Sequence, residues 1–83
     1  NEDAHIRYVL AGNPHTHPSV LAKLAGEANA TIRGRVAENP QTPHNLLHKL
    51  ASDPEHEVRE SVADNPNAPR EILEKLANDD HED

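Results

Sequence analysis

Branched aliphatic residues recur along this chain in sets, and the sets recur at one fixed spacing. Ile6 and Leu10, Ile32 and Val36, and Val58 and Val62 form one series. Val20, Leu21 and Leu24, then Leu46, Leu47 and Leu50, then Ile72, Leu73 and Leu76 form the other. Spacings of i, i+4 and i, i+1, i+4 gather apolar groups on one face of an α-helix, and nothing in the pattern has the period of two that a half-buried strand requires. The chain therefore predicts two kinds of short helix in alternation. Fifteen of the 16 Leu, Ile and Val residues fall in these five columns, and Val9 alone does not.

Proline and capping residues place the boundaries. The first helix of each pair is predicted over 43–51 and 69–77, with proline at the first helical position and Thr42 as a cap. Pro18 sits one column later than Pro43, which predicts a start shifted by one residue in the first copy. Gly26, Ser52 and Asn78 follow the last alanine, where Gly or Asn suits a left-handed C-terminal cap. The second helix is predicted to open at Asp53-Pro54-Glu55 and to end near Ala63, because the residue before Pro66 is pushed out of the helical region. Its counterparts are 3–11 and 28–37, weakened by Gly12 and Gly34. Two-turn segments bounded by proline are expected to be partly 3₁₀.

Aligned at this spacing, the chain divides into units 6–31, 32–57 and 58–83, and 1–5 fill the place of the end of a preceding unit. Beside the Leu columns, Arg7/Arg33/Arg59, Ala11/Ala37/Ala63, Asn13/Asn39/Asn65, Pro14/Pro40/Pro66, Lys23/Lys49/Lys75 and Ala25/Ala51/Ala77 are invariant. The unit is too short for tetratricopeptide, HEAT or armadillo repeats, and the L-x-x-L-x-L strand of ordinary leucine-rich repeats is absent. The recurring V-R-x-x-V-A-x-N-P-x-x-P-x-x-L-L-x-x-L-A-x-D resembles the leucine-rich repeat variant family. That resemblance implies an all-α, right-handed solenoid of α-helices alternating with short α or 3₁₀ helices, without a β-sheet. Some members carry a cysteine-rich iron–sulfur segment, but this chain has no Cys, so no cofactor is carried over.

Composition alone points the other way. Sixteen strong aliphatic residues among 83, one aromatic and a net charge of -7 lie at the border of intrinsic disorder. The repeat changes that reading, since each unit's neighbour covers its apolar faces and the sparse content forms a thin, continuous core. Three units are about the minimum for such an array, and neither end carries a polar cap. The chain lacks Met and starts at Asn1, so it is expected to be a piece of a longer array, or to stack end to end through its uncapped repeats. Net charge is -2 over 1–5, +1 over 6–31, -1 over 32–57 and -5 over 58–83. The acidity argues against nucleic-acid or anionic-membrane binding and suits a basic partner. No apolar run is long enough for a bilayer span. The compartment stays open, with the cytoplasm as the default.

The candidate residues divide by column. On a helical wheel Arg59 falls inside the arc of Val58, Val62 and Ala63, so the Arg7/Arg33/Arg59 column is expected to lie along the inter-repeat surface. Its heads should reach backbone carbonyls or the acids Glu27, Asp53, Glu38 or Asp64, in preference to forming a phosphate ladder. Asn13, Asn39 and Asn65 are expected to bond the loop backbone, and the Lys column to be solvated. His44 and His48, one turn apart, and the nearby His15 and His17 are weak metal candidates, since a zinc site needs three or four ligands in geometry. The chain has no nucleophile–base pattern and no phosphate-binding loop. A non-catalytic scaffold or protein-interaction module is therefore the first reading. A His-based metal module and a nucleic-acid-binding repeat are the alternatives. Tyr8, Arg35, His44, His48 and Glu74 stand in variable columns and are the expected contact surface.

Overall fold

The computed structural model describes the backbone of residues 2–80 and the side chains of 3–78. The acidic residues 79–83, which belong to the unit of charge -5, lie outside the described side chains. Six α-helices and no strand occur among the described residues: α1 Glu2–Gly12, α2 Pro18–Leu24, α3 Ala30–Glu38, α4 His44–Leu50, α5 His56–Asp64 and α6 Arg70–Asp80. Helix α3 packs against both α1 and α5 and forms the spine of one layer. Helices α2, α4 and α6 make their principal contacts with the flanking members of that layer. The result is an elongated body of 37 × 22 × 16 Å.

The helix boundaries correct the expected register. Helices α2, α4 and α6 begin at Pro18, His44 and Arg70, which are one column, so the first copy is not shifted. Pro43 is the N-cap residue of α4, extended at φ -61°, ψ 151°, and not its first helical residue. Thr42 does not cap. It is buried, and its hydroxyl donates to the Val36 carbonyl at 2.6 Å, as Thr16 does to Leu10 one repeat earlier. Helix α2 is capped by His17, whose Nδ1 accepts from the Ser19 amide, and α3 by Asn29, whose Oδ1 accepts from Thr31 and Ile32. Helix α5 opens at His56, later than Asp53-Pro54-Glu55 suggests: Glu55 is extended at φ -90°, ψ 124° as its N-cap residue, without a side-chain cap bond.

The helix ends differ as well. No described residue takes a positive φ, so Gly26 makes no left-handed cap, and Asn78 lies inside α6. The chain leaves α2 and α4 through Ala25 and Ala51 in right-handed helical conformation, and the next amides bond three residues back: Gly26 to Lys23 and Ser52 to Lys49. Three-residue bonding of the 3₁₀ type is thus confined to helix ends and connectors, and no separate 3₁₀ helix alternates with the α-helices among the described residues. Asn39 and Asn65 are extended at ψ 123°, as the following proline requires.

The core runs through the repeats as one cluster: Leu21, Leu24, Ile32, Val36, Leu47, Leu50, Val58, Val62, Ile72 and Leu76, with Ala11, Ala25, Ala37 and Ala51 between them. The thin core expected of these columns is not closed at the ends. Ile6, Leu10 and Leu73 are 55%, 39% and 38% exposed, although Ile32, Val36 and Leu47 in the same columns are closed off. Burial depends on the neighbouring repeat, which these three lack.

Candidate functional site

The Arg and Asn columns hold one repeat to the next. Arg33 grips Asp53 with two parallel bonds, Nε to Oδ2 at 2.7 Å and Nη2 to Oδ1 at 3.0 Å. Its Nη1 donates to the carbonyls of Glu27 and Ala28 at 2.7 and 3.0 Å. Asp53 Oδ1 also accepts from the Glu55 amide, and its carbonyl accepts from Arg59 Nη1 at 2.6 Å. Burial alone would raise the Asp53 carboxyl. The Arg33 hydrogen bonds, the Glu55 amide and the charges of Arg33 and Arg59 outweigh it and hold the group below its ordinary range. The same hydrogen bond, against the opposing effect of burial, raises Arg33. Arg7 stands 2.9 Å from Glu27. Its Nε makes no directed hydrogen bond, so the contact of this partly exposed pair is Coulombic. Neither Glu38 nor Asp64 takes part. The Arg33 and Arg59 guanidinium heads are turned into the array, which leaves little for a phosphate.

The asparagines do more than close their own loops. Asn39 Nδ2 donates to Ala11 and Asn13 carbonyls at 2.8 and 2.9 Å, and Asn65 Nδ2 to Ala37 and Asn39 carbonyls at 2.7 and 2.9 Å. Each Oδ1 accepts from its loop amide two residues on, at Gln41 or Asn67. Each side chain therefore satisfies the carbonyls at a helix end of the preceding repeat. Sequence reasoning foresaw the loop bond. It missed the bond across repeats, whose only sign was the invariance of the column.

The variable residues separate into two groups. Tyr8 and Arg35 meet on the α1–α3–α5 layer, with the guanidinium carbon 4.9 Å from the ring centroid. Arg35 also pairs with Glu38 at 3.2 Å. Between these helices lies an open cleft of about 160 Å³, lined by Tyr8, Thr31, Arg35, Glu38, Glu57 and Ser61 around Gly34. The glycine makes the floor, since a Cβ there would stand 3.3 Å from Ser61 Oγ. His44 and His48 are exposed on α4, and Glu74 pairs with Arg70 on α6. They do not join the cleft. His15 is exposed and His17 caps α2, and no group of three or more His, Cys, Asp or Glu able to hold a metal occurs among the described residues. Lys23 and Lys49 are exposed, and Lys75 reaches Ser52 Oγ at 2.6 Å.

Alternating short helices stacked through a buried aliphatic seam and repeated Arg and Asn clasps define a helical-repeat array. Residues 6–60 match the family model of the Leucine Rich Repeat Variant domain, and residues 56–81 match that of the Leucine rich repeat variant. The chain belongs to the leucine rich repeat variant family. No curated protein and no solved structure matches it. No helix among the described residues is long and apolar enough to cross a membrane.

Proposed function

We propose that this chain is a non-catalytic repeat scaffold that binds a protein partner through the lateral face of α1, α3 and α5. The division of labour between columns supports this. The invariant Arg and Asn residues of the inner repeats are occupied within the array, whereas the cleft at Gly34 is walled by residues that differ from copy to copy. A cleft of this size admits one or two side chains of a partner, and Tyr8 stacked under Arg35 provides a rigid amphipathic wall of the kind that anchors interfaces. The net charge of -7 speeds encounter with a basic surface. His44, His48 and Glu74 form a separate polar surface on α4 and α6.

The test is selection of binding peptides from a displayed library, followed by calorimetry against Tyr8→Ala, Arg35→Glu and the distant His44→Ala/His48→Ala pair. We expect the first two to weaken the selected ligands at least about tenfold, as loss of an anchor does, and the His pair to leave them unchanged. Ligands insensitive to Tyr8 and Arg35 would refute the assignment. Ligands sensitive to the His pair and requiring added zinc would favour the metal-dependent alternative.

A further inference from the structure

Exposure along the columns shows which side of a repeat receives the one before it and which receives the one after. Ile6, Leu10 and Asn13 are exposed where Ile32, Val36 and Asn39, their counterparts one repeat on, are buried. These columns face the preceding repeat. Ala63, Leu73 and Ala77 are exposed where Ala37, Leu47 and Ala51, their counterparts one repeat back, are buried. These columns face the following repeat. On these columns the two ends of the array are the two halves of a joint that is formed twice inside the molecule; the tail differs in its helix end, since α6 runs on to Asp80 where α2 and α4 stop at Leu24 and Leu50.

We propose that a second copy of this chain seats its first repeat on the third repeat of another, head to tail, in the register of the internal joints. Ile6 and Leu10 of one copy then close over the surface that carries Ala63, Leu73 and Ala77 of the other. Asn13 supplies the clasp. Asn39 and Asn65 reach carbonyls 28 and 26 residues back. The same step for Asn13 falls on the Ala63 and Asn65 carbonyls of the copy that presents its third repeat. The Ala63 carbonyl lies at the end of α5, and the Asn67 amide, which would continue the helix to it, donates to Asn65 Oδ1 instead. Such a joint is heterologous: it leaves one free head and one free tail, so growth continues past the dimer. It uses the ends of the array and not the lateral cleft, so it stands or falls independently of the proposed function.

Sedimentation velocity of the intact chain from about 10 µM to about 1 mM tests this, because mass action exposes weak association only at high concentration. The expected result is a weight-average mass that rises with concentration and does not level at the dimer. Both ends carry net negative charge, -1 over 1–31 and -5 over 58–83, so added salt should strengthen the association. Leu10→Lys blocks the head and Leu73→Lys blocks the tail. Each alone should weaken association more than about tenfold, since each removes a buried leucine from the joint. Mixed one to one, the two variants should form a dimer that grows no further, because one retains a tail and the other a head. Ala63→Arg is a second tail block, at an exposed alanine, should Leu73→Lys lose its helical circular dichroism. A wild-type chain monomeric throughout the range, a mixture that stays monomeric, or single variants that assemble as the wild type does would each overturn the proposal.

Discussion

Replacing the same asparagine in three repeats should give unequal losses, because the residues occupy one column but not one environment. Asn65→Ala removes three hydrogen bonds of 2.7, 2.9 and 2.7 Å at a site only 4% exposed. At about 1 kcal/mol net per bond, and with carbonyls left short of a partner at the joint, the loss is about 3–4 kcal/mol. Asn39→Ala should cost about the same, since it makes the same three kinds of bond. Asn13 is exposed and accepts only the His15 amide at 2.8 Å, so Asn13→Ala should cost less than about 1 kcal/mol. A chain of this length has a total stability of roughly 4–12 kcal/mol, so the first two changes approach the limit of folding and the third does not. Urea unfolding followed by far-ultraviolet circular dichroism measures this, at low micromolar protein so that copies stay apart. With a slope near about 1.5 kcal/mol/M, the Asn65→Ala midpoint should fall by about 2 M. Asn65→Asp should be worse than alanine, because it sets a charged acceptor against two carbonyls. An Asn13→Ala loss equal to that of Asn65→Ala, or an Asn65→Ala loss below about 1 kcal/mol, would refute the clasp.

Further outcomes follow from the geometry. Arg33→Met leaves the Asp53 carboxylate buried without its partner and should cost about 3 kcal/mol in the same urea assay. Because the folded Asp53 is depressed, its stabilising contribution is complete above the unfolded value of about 3.9 and is lost as pH falls through the folded one. The wild-type midpoint should therefore drop below about pH 4, and Asp53→Asn, already lacking that contribution, should drop less over the same window. Gly34→Ala meets Ser61 Oγ at 3.3 Å. Rotation of that half-buried serine relieves the contact, so the helical gain should prevail and stabilise by up to about 1 kcal/mol. Gly34→Leu should wedge α3 from α5 and cost about 1–3 kcal/mol in thermal melts. Gly12→Ala places a methyl group against the Arg35 guanidinium and should displace it from Tyr8. Tyr8 is the sole aromatic residue, so its near-ultraviolet circular dichroism should shift toward that of Arg35→Met.

The helices were legible because the aliphatic columns and the Asn-Pro breaks are local signals, each read within one repeat. The capping details were less so. Thr42 looks like a cap beside Pro43, but in the folded chain its buried hydroxyl is claimed by the Val36 carbonyl, and no local pattern reports that competition. Asp53 looks like the start of a helix and its Oδ1 does accept from the Glu55 amide, but Arg33 shares the carboxylate and the helix opens only at His56. Exposure of Ile6, Leu10 and Leu73 was hidden for a related reason. A column records what a position does with a repeat packed on each side, and Ile6, Leu10 and Leu73 have one on one side only.

The candidate surface was the least legible part, because it is built between columns and not within them. Its contacts nevertheless obey a rule. Tyr8 meets Arg35 and Gly34 meets Ser61, each pair one position beyond the repeat spacing. Gly12 lies against Arg35 and Glu38 reaches Ser61, each pair three positions short of it. The two offsets differ by four, one helical turn, so each residue at this position of a helix inserts between positions i and i+4 of the helix before it. Arg35 sits between Tyr8 and Gly12, and Ser61 between Gly34 and Glu38. A long side chain needs a small one in one of those places, which is why Gly12 faces Arg35. Where the inserting residue is as short as Ser61 and Gly34 stands opposite it, the groove stays open, and that is where the cleft lies. Variation along a column therefore carries information about the lateral face once it is read at these two offsets, and not at the repeat spacing itself.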